Sequence, residues 1–66
     1  MIMNKNTRES RFYRVYANLP INLRDEIISV IPGKGPITWN VAYLEIENGT
    51  KLGKDILEKL DELKII

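Results

Sequence analysis

Cysteine and histidine are both missing from this 66-residue chain. Without cysteine it can form no disulfide, and it offers no thiolate to a zinc site or an iron–sulfur cluster. Without histidine it lacks the commonest metal ligand and the usual general base near neutral pH. We therefore expect no metal and no cofactor. Stability should come from close packing or self-association, because so short a chain buries only about 60% of the surface that its unfolded form exposes.

Long apolar runs are missing as well. No segment approaches the length that crosses a bilayer, and the N-terminal residues show no signal-peptide pattern. The sequence therefore predicts a cytoplasmic protein with no membrane partner. Its 44% hydrophobic and 29% charged residues are typical of a folded globular chain.

The charges are distributed unevenly along the chain. Residues 1–24 carry five basic side chains against one acid, a balance of +4, whereas residues 25–66 carry five against eight, a balance of −3. All four arginines belong to the first of these stretches. The planar guanidinium group suits phosphates and base edges better than the ammonium of lysine does. This pattern is typical of a basic surface facing a polyanion, and equally of a solvated tail.

The first two segments are predicted to be an arm and a strand. Residues 1–10 are polar and lack periodicity, so we expect a flexible basic arm ahead of one domain at 11–66. Residues 11–19 alternate, and one face holds Phe12, Arg14, Tyr16 and Asn18. Aromatic and β-branched residues at period two predict a β-strand that ends at Pro20.

The next segment, residues 21–31, fits a helix or a strand. Its apolar side chains have helical spacing, but its second half is a β-branched run that favours a strand. The glycines and prolines of residues 32–36 form a firm break. If the segment is a strand, a hairpin through that break would pair 26–31 with 37–43.

Residues 37–47 leave the same alternative open, with a slight preference for a helix. Thr38 is a good N-cap, and the apolar spacing after it is helical. Asn48 and Gly49 would end such a helix, with the glycine in the left-handed conformation. In the rival interpretation the same two residues form a tight hairpin turn after a strand.

Residues 51–64 are the clearest element, an amphipathic helix with Thr50 as its N-cap. We expect this helix to pack on the sheet. Its apolar end is expected to pack there too or to bind a partner protein, through Leu60, Leu63, Ile65 and Ile66. The predicted fold class is therefore a small α+β domain, with one or more N-terminal strands followed by helices and this helix at the end.

Catalytic chemistry finds little support in the sequence. Ser10 and Ser29 have no histidine to activate them, and the acidic residues of 51–64 fit the solvated face of a helix. The stretch from Gly33 to Gly35 is too short for a phosphate-binding loop. We therefore expect no enzymatic activity and no catalytic residue.

Residues 12–46 resemble the ribbon-helix-helix family of DNA-binding domains. The likeness consists of an alternating strand, the sequence Leu-Pro-Ile-Asn-Leu at 19–23, Ile27, a glycine-containing loop, and Thr38 opening an amphipathic helix. The resemblance implies a homodimer whose paired strands enter the major groove of double-stranded DNA. It also makes an antitoxin-like regulator conceivable, with a protein partner on the C-terminal helix.

The resemblance assigns roles to individual residues. Outward strand side chains would read bases, here Arg14, Tyr16 and Asn18, because arginine suits guanine and asparagine suits adenine. The helix start at Thr38 would hold a phosphate. Arg8 and Arg11 would add salt-sensitive backbone contacts. Four features depart from the family pattern: the β-branched run in the first helix, the proline at 36, the aromatic residues on the reading face, and the helix at 51–64, which lies outside the core motif.

The alternative is a protein-interaction module without nucleic-acid activity. In it, residues 11–19 and 26–31, with 37–46 as an optional third strand, form an antiparallel sheet covered by the last helix. The partner would meet an open strand edge or the apolar C-terminal end. The near-zero net charge favours this alternative.

Overall fold

The computed structural model of the chain describes residues 7–66, and residues 1–6, most of the predicted arm, lie outside the described part. The chain begins with a helix, continues through a single 3₁₀ turn into a β-hairpin, and ends with two helices. The elements are α1 (Arg8–Ala17), the 3₁₀ turn (Ile21–Leu23), β1 (Ile27–Ile31), β2 (Gly35–Thr38), α2 (Trp39–Glu47) and α3 (Lys51–Glu62). The expected mixed α+β domain is confirmed, and its strands precede two of its helices.

The N-terminal strand predicted at residues 11–19 is wrong, because residues 11–17 belong to α1 and Asn18 is its C-cap. The apolar residues that alternate here also recur at helical spacing, since Phe12, Val15 and Leu19 fall within two turns on one side. The helix start is fixed by Thr7, whose hydroxyl accepts a hydrogen bond from the Ser10 amide at 3.1 Å. Residues 8–10 are therefore the first turn of a helix and not part of a flexible arm.

The hairpin resolves the open question about residues 21–31 in favour of a short turn followed by a strand. β1 pairs antiparallel with β2, and Val30 lies opposite Pro36. A bulge interrupts the register between Ile27 and Ser29. Pro32 suits the second position of the connecting turn, and Gly33, with φ at 80°, suits the third, which is the pattern of a type II turn.

The helical interpretation of residues 37–47 is confirmed from Trp39 onward. The Thr38 hydroxyl caps α2 by accepting from the Val41 amide at 3.1 Å, and Gly49 ends the helix with φ at 65°. The predicted last helix is confirmed as α3. Thr50 caps it by accepting from the amide of Gly53 at 3.0 Å.

The core lies between the three helices and the inner face of the hairpin. Among the described residues its fully buried large side chains are Phe12 from α1 and Ile56 and Leu60 from α3. α3 packs mainly on α2 and also on α1, rather than mainly on the sheet as the sequence predicts. Gly53 allows this close packing, because a Cβ there would lie 2.5 Å from the Glu45 carbonyl oxygen. No helix within residues 7–66 is long and apolar enough to cross a membrane.

Candidate interaction surface

In the connection from α1 to β1, the Arg24 side chain is turned towards the body of the protein, whereas Asp25 and Glu26 stay exposed. The Arg24 guanidinium lies over the Tyr16 ring, 4.3 Å from its centroid. One of its terminal nitrogens donates to the Tyr16 carbonyl at 3.1 Å. The Arg24 Nε is buried and has no hydrogen-bond acceptor. Stacking on a ring is a common environment for arginine, because the guanidinium is planar and weakly hydrated.

Asn40 joins this connection to both α1 and α2. Its side-chain oxygen accepts from the Tyr16 hydroxyl at 2.7 Å, and its side-chain nitrogen donates to Asp25 at 2.7 Å. Its backbone amide donates to the Arg24 carbonyl at 3.0 Å. The next bond along, from the Trp39 amide to the Glu26 carbonyl at 3.3 Å, continues towards the hairpin. Residues 24–26 are therefore held against the start of α2 by side-chain and backbone bonds together.

Three tyrosine rings pack together beside this network. Tyr16 stacks on Tyr43 with ring centroids 4.6 Å apart, and Tyr13 meets Tyr43 edge to face at 5.8 Å. The Tyr13 hydroxyl donates to Glu47 at 3.2 Å. Partial burial, and then this carboxylate, raise the pKa of Tyr13 above its usual value. The rings fasten α1 to α2 and so fix the position of the side chains that hold Arg24 and Asp25.

The apolar side chains of the same connection and of β1 face solvent. Ile21 is 80% exposed, Leu23 41%, Ile27 60% and Val30 64%. We call these four residues the apolar patch. Large aliphatic side chains are among the residues most often buried in folded proteins. Here the usual arrangement is reversed, since an arginine packs inward while an isoleucine three residues earlier is almost fully exposed.

The arginines predicted to contact a DNA backbone are tied to α3 instead. Arg8 donates to Asp61 at 2.8 Å and Arg11 donates to the other oxygen of the same carboxylate at 3.0 Å. The hydrogen bond to Asp61 raises the pKa of Arg8, and the bond from Arg8 lowers the pKa of Asp61. Both shifts favour the charged pair. These two arginines therefore have a structural partner within the fold.

The residues predicted to read bases do not share one face. Because they lie on a helix, Tyr16 is directed towards α2 while Arg14 is exposed in the last turn of α1. Asn18 is the C-cap of that helix, and its side-chain amide donates to the Arg14 carbonyl at 2.9 Å. Thr38, the predicted phosphate site, uses its hydroxyl to cap α2. The structure brings only Arg14 and Asn18 together, one turn apart.

The predicted partner residues at the C-terminal end have different environments. Leu60 is fully buried in the core, so its assignment as a contact residue is wrong. Leu60 lies on the side of α3 that faces the core, whereas the other three predicted residues follow the end of the helix. Leu63 and Ile65 are exposed, and Ile66 is half-buried against the core.

The apolar patch was not identified from the sequence as a binding site. The spacing of Leu23, Ile27 and Val30 fits one face of a helix, which is one of the two alternatives for this segment, but in a turn and a strand these residues face solvent. Residues 7–66 contain no pocket, and no cluster of three or more acidic side chains that could hold a metal ion. Comparison with family models, curated proteins and solved structures found no match to this chain.

Proposed function

We propose that this protein is a non-enzymatic interaction module that binds another protein through the apolar patch. The observation that carries the proposal is the reversed arrangement of residues 21–30. Arg24 and Asp25 are bound to α1 and α2, while Ile21 and Ile27 are more than half exposed. Exposure of the aliphatic side chains contributes nothing to the stability of the folded chain in water, whereas a partner that covers the patch gains the free energy of burying it.

The patch has the composition that partner binding requires. Each aliphatic side chain that becomes fully buried contributes about 1.5–3 kcal/mol, so two or three such residues can dominate the affinity of a small interface. The four side chains of the patch are uncharged, and Arg24 is already stacked on Tyr16 and bonded to its carbonyl. The exposed carboxylates of Asp25 and Glu26 lie between Leu23 and Ile27 in the chain, so an apolar partner surface docks at little desolvation cost when it leaves these two groups in solvent.

Site-specific photocrosslinking in living cells tests the proposal. A photoreactive amino acid placed at Ile21 should give a discrete protein adduct, because this side chain would lie inside the interface. The matched control is the same probe at Lys54, which is exposed on α3. Adding Leu23→Ser to the Ile21 probe should abolish the adduct, since it removes a neighbouring apolar contact without touching the core.

The adduct must then be identified by mass spectrometry and must reappear when the two purified proteins are mixed. Equal labelling from the Ile21 and Lys54 probes, or no adduct from either, would contradict a binding role for the patch. Circular dichroism of each variant establishes that the fold is retained.

DNA binding by a cytoplasmic homodimer remains a prediction from the sequence, with Arg14 as its central residue. It is tested by the fluorescence anisotropy of a labelled duplex titrated with the purified protein. Binding at low salt that weakens steeply towards physiological salt would support it. Arg14→Ala should then cost about 1–3 kcal/mol of specific affinity with little loss of stability.

A further inference from the structure

The two outer edges of the hairpin are chemically different. Ile31 pairs with Gly35, and its carbonyl accepts the turn-closing bond from the Lys34 amide at 2.9 Å. The next pair, Val30 with Pro36, is therefore of the non-hydrogen-bonded kind, whose backbone groups point away from each other to the outer edges. Pro36 has no N–H to offer at the edge of β2, so that edge is blocked.

The edge of β1 has no such protection. The Val30 N–H and carbonyl point outward, and so do those of Ile27, because the bond from Trp39 to Glu26 makes the Ile27–Thr38 pair non-hydrogen-bonded as well. In a regular strand, backbone groups that point to the same edge are two residues apart. The bulge between Ile27 and Ser29 adds one residue, so the groups of Ile27 and Val30, three residues apart, still point to the same edge. No charged residue or proline lies within β1, so of the usual devices that prevent an edge from pairing it has only the bulge, and the outward groups of Ile27 and Val30 lie on either side of that bulge.

The charges that flank β1 select the orientation of a pairing strand. Asp25 and Glu26 precede the strand and Lys34 follows it, while the residues between them are uncharged. Two antiparallel copies would bring the acidic end of each strand to the basic end of the other. Two parallel copies would place acid beside acid and lysine beside lysine, which is unfavourable.

We propose that the occupant of this edge is a second copy of the chain, paired antiparallel through β1 about a two-fold axis. Ile27 of each copy lies opposite Val30 of the other, both pairs exchange backbone hydrogen bonds, and the hairpins join into a four-stranded sheet. The same pairing places the two most exposed β-branched side chains of the strand in cross-strand contact on the outer face. This inference deepens the proposed function, on which it rests, by naming the partner of the β1 half of the patch.

Sedimentation equilibrium on the purified chain, from micromolar to millimolar concentration, tests the pairing. The mass should rise from 7.7 kDa to twice that value, and the association should be reversible because the interface is small. In the same concentration series, the amide hydrogens of Ile27 and Val30 should exchange with solvent more slowly as dimer forms. Docking through any other face would leave these two amides unprotected.

Two sets of variants make the test specific. Val30→Lys places a charge on the exposed edge and should keep the chain monomeric, while the control Val41→Lys, at an exposed apolar position of α2, should leave the dimer intact. Glu26→Lys and Lys34→Glu should each weaken the dimer several-fold. Their combination should restore it, because antiparallel pairing again matches opposite charges.

A chain that stays monomeric at millimolar concentration would overturn the inference. So would a dimer that Val30→Lys leaves intact, or a double charge reversal weaker than either single one. A monomer that still gives the Ile21 adduct with a different protein would refute self-pairing and leave the proposed function standing. A self-paired dimer with no heterologous adduct from Ile21 would confine the function to self-association.

Discussion

Replacing Gly53 by alanine should destabilise the domain, although alanine is the better helix former. In α3 the Cβ of alanine would lie 2.5 Å from the carbonyl oxygen of Glu45 and 2.9 Å from the backbone nitrogen of Ile46. Both atoms belong to the backbone of α2, so neither can rotate away as a side chain would. The two helices must therefore move apart, or the cap that Thr50 forms on the Gly53 amide must loosen.

The magnitude follows from two opposing contributions. Overpacking a close contact of this kind costs about 1–3 kcal/mol. The helix propensity of alanine returns at most about 1 kcal/mol, and less in the first turn where Gly53 lies. We therefore expect a net destabilisation of about 1–2 kcal/mol, which in a domain of this size lowers Tm by about 4–8 °C per kcal/mol.

Thermal and urea unfolding followed by circular dichroism measure this effect. The matched control is Lys54→Ala, one residue further along α3 with its side chain in solvent, which should change stability by less than about 0.5 kcal/mol. If Gly53→Ala is as stable as the parent chain or more stable, the close approach of α2 and α3 at this point is incorrect. The same result would mean that close packing against α2 is not the reason for a glycine inside α3.

Three further predictions follow from the hydrogen bonds and ion pairs. Arg8 and Arg11 lower the pKa of Asp61 in the folded protein. The stability that this carboxylate contributes is therefore fully present at pH values above its usual pKa of 3.8, and it is lost as the pH falls through the lower pKa of the folded state. Unfolding midpoints measured against pH should therefore fall less steeply in acid for Asp61→Asn than for the parent. The pKa of Tyr13 is raised by burial and by Glu47, so its ionisation, followed by ultraviolet absorbance, should move to lower pH in Glu47→Gln; an unchanged titration would exclude the bond. Thr38→Ala removes the α2 cap and should cost about 0.5–2 kcal/mol in urea unfolding, and a loss near zero would show that the cap contributes nothing.

The elements with local signals could be predicted from the sequence. Thr50 and the apolar stripe of residues 51–64 determine α3 by themselves, and Thr38 with Gly49 brackets most of α2. These signals lie within a few residues of what they specify, so no tertiary information is needed to interpret them.

The prediction of a strand at residues 11–19 failed because two periodicities coexist there. Tyr13 and Val15 fit an alternating strand, whereas Phe12 with Val15 and Leu19 fits a helix; packing of Phe12 against Trp39, together with the Thr7 cap, decides for the helix. The apolar patch could not be located for a related reason. Whether Ile21 faces the core or the solvent depends on where Arg24 finds its stacking partner, which is Tyr16 on another element.

The proline at position 36 sets a limit on assembly as well as on pairing. In the proposed dimer paired through β1, both outer edges of the four-stranded sheet are formed by β2, and neither edge presents an N–H at the position of the proline. No further chain can add a strand at these edges, so assembly stops at the dimer. Because the edge of β1 can pair and the edge of β2 cannot, the protein can keep an uncharged, isoleucine-rich strand at its surface without starting fibril growth.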